Sequence, residues 1–175
     1  MGKTRLFGTA VAASVVAALG VAAVAVGAAD SRQVQVLDAC DPTTFDAVLG
    51  EGACVRAGGV AFDTFIGQLL SQGRAPAWRF APERLKLEAG ATIGAVNRGG
   101  EFHTFTEVAQ FGGGCVDELN ELLGLDPVPE CEVPGIFGTT GLAPGETLVT
   151  GPLGPGAHRF MCLIHPWMRT TVTGS

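Results

Sequence analysis

Hydrophobic positions change their period several times along this chain. Leu6 to Ala29 is an uncharged run dominated by Ala, Val and Gly. Two stretches with helical spacing follow. Asp41 before Pro42 offers an N-cap carboxylate and a proline at the first helical position, predicting a helix through Phe45, Val48 and Leu49 to Gly50. Phe62, Phe65, Ile66, Leu69 and Leu70 fall at i, i+3, i+4, i+7 and i+8, which predicts a second helix ending near Gly73. Both serve packing. After Pro76 the period drops to two. Trp78, Phe80, Leu85 and Leu87 alternate with polar residues, and Ala89-Gly90 turns the chain into Thr92–Asn97. A strand through Phe102–Thr106 comes next. Residues 107–134 then interrupt the strands with Gly112–Gly114, a short helix around Val116–Leu123, and three prolines. Strand grammar returns at Glu146–Thr150, His158–Cys162 and Arg169–Thr173. Short strands at this spacing predict an all-β sandwich, antiparallel or mixed, carrying a few added helices.

Lys3 and Arg5 ahead of the apolar run, and the small residues Val26-Gly27-Ala28-Ala29 at its end, give residues 1–29 the form of an export signal. A membrane tether is the alternative, because 24 uncharged residues suffice to span a bilayer. The mature protein is therefore expected in the periplasm or outside the cell, with no stable membrane insertion once the leader is removed. Residues 30–77 form a helical extension ahead of a domain at 78–175.

Export changes the meaning of the five cysteines, since thiols outside the cytoplasm tend to pair. Cys40/Cys54 and Cys115/Cys131 make two local pairs, the preferred choice among three pairings of four cysteines. Cys162 is left over, beside His165. The charge is also informative. With 11 Lys+Arg and 17 Asp+Glu in all, loss of Lys3 and Arg5 leaves 9 − 17 = −8 from Asp30 onward. Such a surface disfavours nucleic acid, whose affinity rests on cations neutralising phosphates. It suits a basic partner.

Cys162-Leu163-Ile164-His165-Pro166-Trp167-Met168 puts a thiolate, an imidazole and a thioether on one short loop, and His103 lies on an earlier strand. Two imidazoles, one thiolate and a weak axial Met suit copper in a trigonal blue-copper site, because soft sulfur favours Cu(I) while imidazole accepts Cu(II). Met161 neighbours Cys162 on a strand and faces the other way. His158 is four residues from Cys162, about 13 Å along an extended strand, too far to share an ion. Singly each residue has a structural role open to it; together, on an exported chain with an odd cysteine, they point to metal.

From Trp78 to Thr173 the sequence resembles the cupredoxins, small blue copper proteins such as plastocyanin, pseudoazurin and amicyanin. The resemblance runs through Trp78-Arg79-Phe80-Ala81-Pro82, Leu85-Lys86-Leu87-Glu88-Ala89-Gly90, Val96-Asn97 leading to His103, and Leu142-Ala143-Pro144-Gly145-Glu146-Thr147, and it ends on C-x2-H-x2-M with Pro166 after the histidine. It implies a Greek-key β-sandwich holding one type 1 copper ion. His103, Cys162 and His165 are then the strong ligands and Met168 the axial one. It further implies a monomeric electron carrier, not an enzyme, that serves other redox proteins through the solvent-facing edge of His165, with Pro166 and Trp167 as an apolar docking patch. The chain departs from the family in having Thr104 where Asn usually follows the first histidine, a long insertion between His103 and Pro144, and the segment 30–77. Two other functions use the same residues: copper binding or delivery without a redox chain, and a metal-free exported interaction module. A multicopper oxidase is disfavoured, because 3 His are too few for a trinuclear cluster.

Overall fold

The protein's structure, a computed structural model, describes residues 1–2 and 32–175. All but the first two residues of the expected leader, and its cleavage point, lie outside the described residues. In chain order the elements are β1 (Arg32–Leu37), α1 (Pro42–Leu49), α2 (Phe62–Gln72), β2 (Arg79–Ala81), β3 (Arg84–Leu87), β4 (Ile93–Asn97), β5 (His103–Thr104), β6 (Thr106–Val108), α3 (Asp117–Leu123), α4 (Ile136–Thr140), β7 (Gly141–Leu142), β8 (Thr147–Val149), β9 (Gly156–Met161) and β10 (Arg169–Gly174). Among the described residues no helix is long and apolar enough to cross a membrane.

Two four-stranded sheets carry the fold, ordered β2-β1-β4-β8 and β3-β10-β9-β6, with β5 and β7 forming a separate two-stranded ladder. The pairs β1/β4 and β3/β10 are parallel and the remainder antiparallel, so the sandwich is mixed. Between the sheets lies a shared core. Val34 and Val36 of β1, Ile93 and Ala95 of β4, Phe160 of β9 and Val172 of β10 are all buried in one cluster. Phe105 ties the layers together, its ring 5.2 Å from Phe80 and stacked at 4.5 Å on Phe160.

β1, like α4 and β7, lies outside the elements that the hydrophobic pattern predicts. Its sequence, Arg-Gln-Val-Gln-Val-Leu, alternates with period two and buries Val34 and Val36 while Gln33 and Gln35 stay in solvent. The segment 30–77 thus contributes an interior strand as well as two helices.

Both helices match their predicted signals. The Asp41 carboxylate accepts the Thr43 N–H, and α1 ends at Gly50. α2 ends on Gly73, whose φ of 67° is left-handed and favours glycine. The Thr44 hydroxyl accepts the Phe62 N–H at 3.1 Å, joining the start of α2 to α1. Together the helices lay Phe45 and Phe65 against Trp78, Phe45 stacked on the indole at 5.7 Å and Phe65 tilted on it at 4.7 Å, while Phe62 packs on both phenylalanines. Aromatic packing of this kind makes the helical pair an outgrowth of the sandwich core.

Cys40–Cys54 and Cys115–Cys131 are both bonded, and Cys162 is free and buried, as the local-pair assignment expects. Met161 packs with Val108, Val128 and Leu163 beneath the insertion, whereas Cys162 belongs to the main core. The two neighbours therefore face opposite ways. His158 is structural, its Nδ1 lying 2.6 Å from Glu107 and its Nε2 3.0 Å from the Gly154 carbonyl.

Candidate metal centre

At one end of the sandwich the loop between β9 and β10 folds onto the start of β5. The loop is held tight by its own backbone. The Met168 N–H donates to the His165 carbonyl at 2.9 Å, and the Cys162 N–H donates to the Met168 carbonyl at 3.1 Å. Thr104 clamps it to β5: the Thr104 N–H donates to Cys162 Sγ at 3.4 Å, and the Thr104 hydroxyl accepts the Leu163 N–H at 2.7 Å. A threonine hydroxyl thus joins the two ligand-bearing segments. Asn97 shapes the approach to His103, its side-chain amide donating to the Glu101 and Leu142 carbonyls while its oxygen accepts the Gly99 N–H.

Three donor atoms converge. Cys162 Sγ lies 3.8 Å from His103 Nδ1 and 3.9 Å from His165 Nδ1, and the two Nδ1 atoms are 3.2 Å apart. All three residues are buried. Met168, at the end of the loop, is fully buried in the same core cluster as Cys162.

A residue that the sequence reading did not single out as part of the site holds His103. Asp38, one position beyond β1, places Oδ2 2.8 Å from His103 Nε2, and its carboxylate also accepts the Gly100 N–H at 2.9 Å and the Glu101 N–H at 3.1 Å. Because the carboxylate accepts, His103 Nε2 donates its proton there, which leaves Nδ1 facing Cys162 as the nitrogen that would bind a metal. Room for Asp38 comes from Gly99, where a Cβ would stand 1.8 Å from Asp38 Oδ2. An acid closing an alternating strand was the available signal.

His165 differs from expectation. Its ring edge is covered, with only 4% of the residue exposed. Phe65 of α2 and Trp167 meet the ring edge-on at 6.3 and 5.4 Å. The Nε2 side faces Glu101 at 3.9 Å, and the Trp78 indole N–H donates to that same carboxylate. Pro166 is buried and Trp167 half-buried, so they do not form a freely exposed patch. The physical reason is the segment 30–77, which lays α2 over the ligand loop. Beside His165 opens a cavity of about 660 Å³, walled by Phe45, Phe62, Phe65 and Leu119, with Glu101 and His165 also in its lining.

The electrostatics suit a cation. Burial alone raises the Cys162 thiol, but hydrogen bonds from His103 and His165 outweigh it and hold the group well below its usual range. Burial likewise disfavours a charged His103, yet the bond to Asp38 and then that to Cys162 prevail and push it up to about 9. Asp38 is lowered, its burial overcome by the same bond from His103 and by the backbone N–H groups. Glu101 is raised by burial. Asp38, Glu101 and His103 also form a compact group of possible ligand atoms. The Asp38 carboxylate is already engaged by backbone N–H groups and His103, and Glu101 by Trp78, so this group supports the histidines.

The fold that carries this centre is a mixed two-sheet β-sandwich with added helices. Among solved structures, the chain is similar to a purple cupredoxin from Nitrosopumilus maritimus at 15% identity, covering 82% of this chain and 99% of that one, with a TM-score of 0.45. It is similar to amicyanin from Paracoccus versutus at 14% identity, covering 55% and 73%, with a TM-score of 0.36. Similarity extends to a copper-containing nitrite reductase from Thermus scotoductus at 20% identity, covering 55% and 20%, with a TM-score of 0.35. No protein-family profile and no curated protein sequence matches the chain.

Proposed function

We propose that His103, Cys162 and His165 hold one copper ion, with Met168 as a weak axial donor, and that the protein carries single electrons between redox proteins outside the cytoplasm. The observation that carries this reading is the meeting of one thiolate sulfur and two imidazole nitrogens within 3.9 Å of one another in a buried site. That donor set fits copper in both oxidation states. Copper bound there would supply a one-electron Cu(II)/Cu(I) couple. The chain's own residues do the rest. Asp38 fixes the His103 tautomer, the Thr104 N–H donates to the thiolate, and Phe65 and Trp167 keep water from His165. No bond in a substrate is made or broken.

Two disulfides agree with an exported protein, because such bonds persist in oxidising compartments. Burial of all three donors favours an electron carrier over a delivery protein, since delivery requires the ion to leave. Titrating the mature protein with Cu(II) tests the reading. An intense visible band from thiolate-to-copper charge transfer is expected at one equivalent, and Cys162→Ala should abolish it while the far-ultraviolet circular dichroism is retained. A colourless one-to-one complex, or no uptake, would show that the centre is something else.

A further inference from the structure

Nine cationic side chains follow residue 29, and four of them gather at one place. Arg74, Arg79, Arg84 and Arg169 line a pocket of about 230 Å³ with Trp167, and Glu83 is its one acidic lining residue. Arg74, Arg79 and Arg84 are exposed, and none of the four arginines makes an ion pair among the described residues. Arg169 is fastened to the ligand loop, its Nε donating to the Pro166 carbonyl at 2.5 Å, its Nη2 to Gly112, and its guanidinium lying over Phe111. Trp167 also walls a second hollow that includes Arg74 and Arg169. Its ring also meets the His165 ring at 5.4 Å. The metal-binding histidine, one indole and a local charge of 4 − 1 = +3 therefore follow one another outward.

We propose that this arginine face is the docking surface for an acidic protein, the redox partner of the centre, which seats over Trp167. The inference rests on the copper reading and deepens it. Net charge from Asp30 onward is −8, which by itself points to a basic partner. At physiological salt, charges more than about 8 Å apart are largely screened, so the groups at the contact decide the docking. Near His165 those groups are cationic. The apolar cavity beside His165 carries Glu101 and Glu118 and no Lys or Arg, so it offers an acidic partner nothing.

The test uses cytochrome b5 as a defined acidic haem protein, and the variant Arg74→Glu/Arg84→Glu. Neither arginine touches the proposed ligands. Titrated into 15N-labelled metal-free protein, cytochrome b5 is expected to shift the Trp167 indole signal and the amides around residues 74 and 84. The double variant should lose those shifts. In the copper-loaded protein, the electron-exchange rate should fall about fivefold as salt rises from about 20 to about 200 mM, against the sign set by net charge, and in the variant it should rise instead. A wild-type rate that rises with salt, or shifts centred elsewhere, overturns the proposal. Paramagnetic hexacyanochromate(III) supplies a control arm. Broadening of Trp167 by that ion, with no shifts from cytochrome b5, would mean a small-anion site and would also overturn it. Absence of the copper band would defeat the copper reading alone, because the titration of metal-free protein needs no copper.

Discussion

Asp38→Asn separates the work of a carboxylate from its shape. The side chain of Asp38 is 1% exposed, and its two oxygens accept from Gly100, Glu101 and His103 at 2.9, 3.1 and 2.8 Å. An amide of the same size has one oxygen left. Turned to keep Gly100, it aims its NH2 group at the Glu101 N–H and at His103 Nε2. Turned to keep those two, it aims the NH2 group at the N–H groups of Gly100 and Cys40, which share the other oxygen. At least one donor is left unpaired either way, at a cost of about 1–3 kcal/mol to the metal-free fold. In the first orientation His103 escapes the clash by giving up its Nε2 proton and keeping one on Nδ1, the nitrogen that faces Cys162. Loss of a ligand-orienting partner weakens metal affinity about 10- to 100-fold, or roughly 1.4–2.8 kcal/mol. Copper competition against a chelator measures the affinity, denaturant unfolding without metal measures the fold, and 15N NMR of the imidazole reads the tautomer. A variant that binds copper within twofold of the wild type, its Nε2 still protonated, would refute the orienting role of Asp38.

Further outcomes are expected. In the metal-free protein His103 is pushed up to about 9 and the Cys162 thiol is held well below its usual range, so copper uptake at pH 7, followed with a pH indicator in weak buffer, should release the proton that His103 holds, and Asp38→Asn should reduce that release. The stability of the metal-free fold follows from the same pair. The raised His103 contributes stability fully below 6.5 that is lost as pH rises through about 9, while the lowered Cys162 contributes stability above 9.0 that is lost as pH falls. Between 6.5 and about 9 the two trends oppose each other, so a pH series of unfolding midpoints should fall less steeply with rising pH in the wild type than in Cys162→Ala, where the His103 trend acts without the cysteine's. Replacing Cys40 and Cys54 by alanine frees a 14-residue connection and should cost about 3 kcal/mol in denaturant unfolding; a loss under about 1 kcal/mol would mean that packing already fixes α1. Gly114→Ala puts a Cβ 2.2 Å from the Leu163 carbonyl, beside the bond from the Cys115 N–H to that oxygen, so it should lower stability by about 1–3 kcal/mol and shift the copper band, whereas an unmoved band would show that the insertion does not brace the ligand loop.

The ligand loop was readable because its three side chains fall within a stretch of seven residues and a tight turn brings such neighbours together in any fold. His103 was readable for a different reason: once the strands were recognised, a sandwich is the architecture that closes a gap of 59 residues. Asp38 was not, because its role depends on a parallel β1/β4 pairing that leaves it beside the 99–103 loop, and on a glycine at 99 whose only contribution is vacant space. Neither is a local pattern. The covering of His165 was hidden similarly. Phe65 fits the apolar stripe of α2 whether that stripe meets the sandwich core or a metal ligand, and helical period alone does not say which surface receives it.

Both histidines of the centre depend on the segment 30–77, from opposite sides. β1 delivers Asp38 to His103, and α2 delivers Phe65 to His165, while Glu101, hydrogen-bonded to the indole that the two helices pack upon, faces the same ring. Any ion that prefers this arrangement of imidazoles must therefore also favour the ordered segment, and by reciprocity an ordered segment must favour the ion. The coupling has a consequence for electron exchange. A partner cannot meet the His165 edge while α2 lies on it, and moving α2 aside would expose Phe45, Phe62 and Phe65 together. Burial of each such ring is worth about 1.5–3 kcal/mol, so opening is costly. Transfer through the closed form needs another contact, and Trp167 is the half-buried ring that touches both His165 and the arginine face.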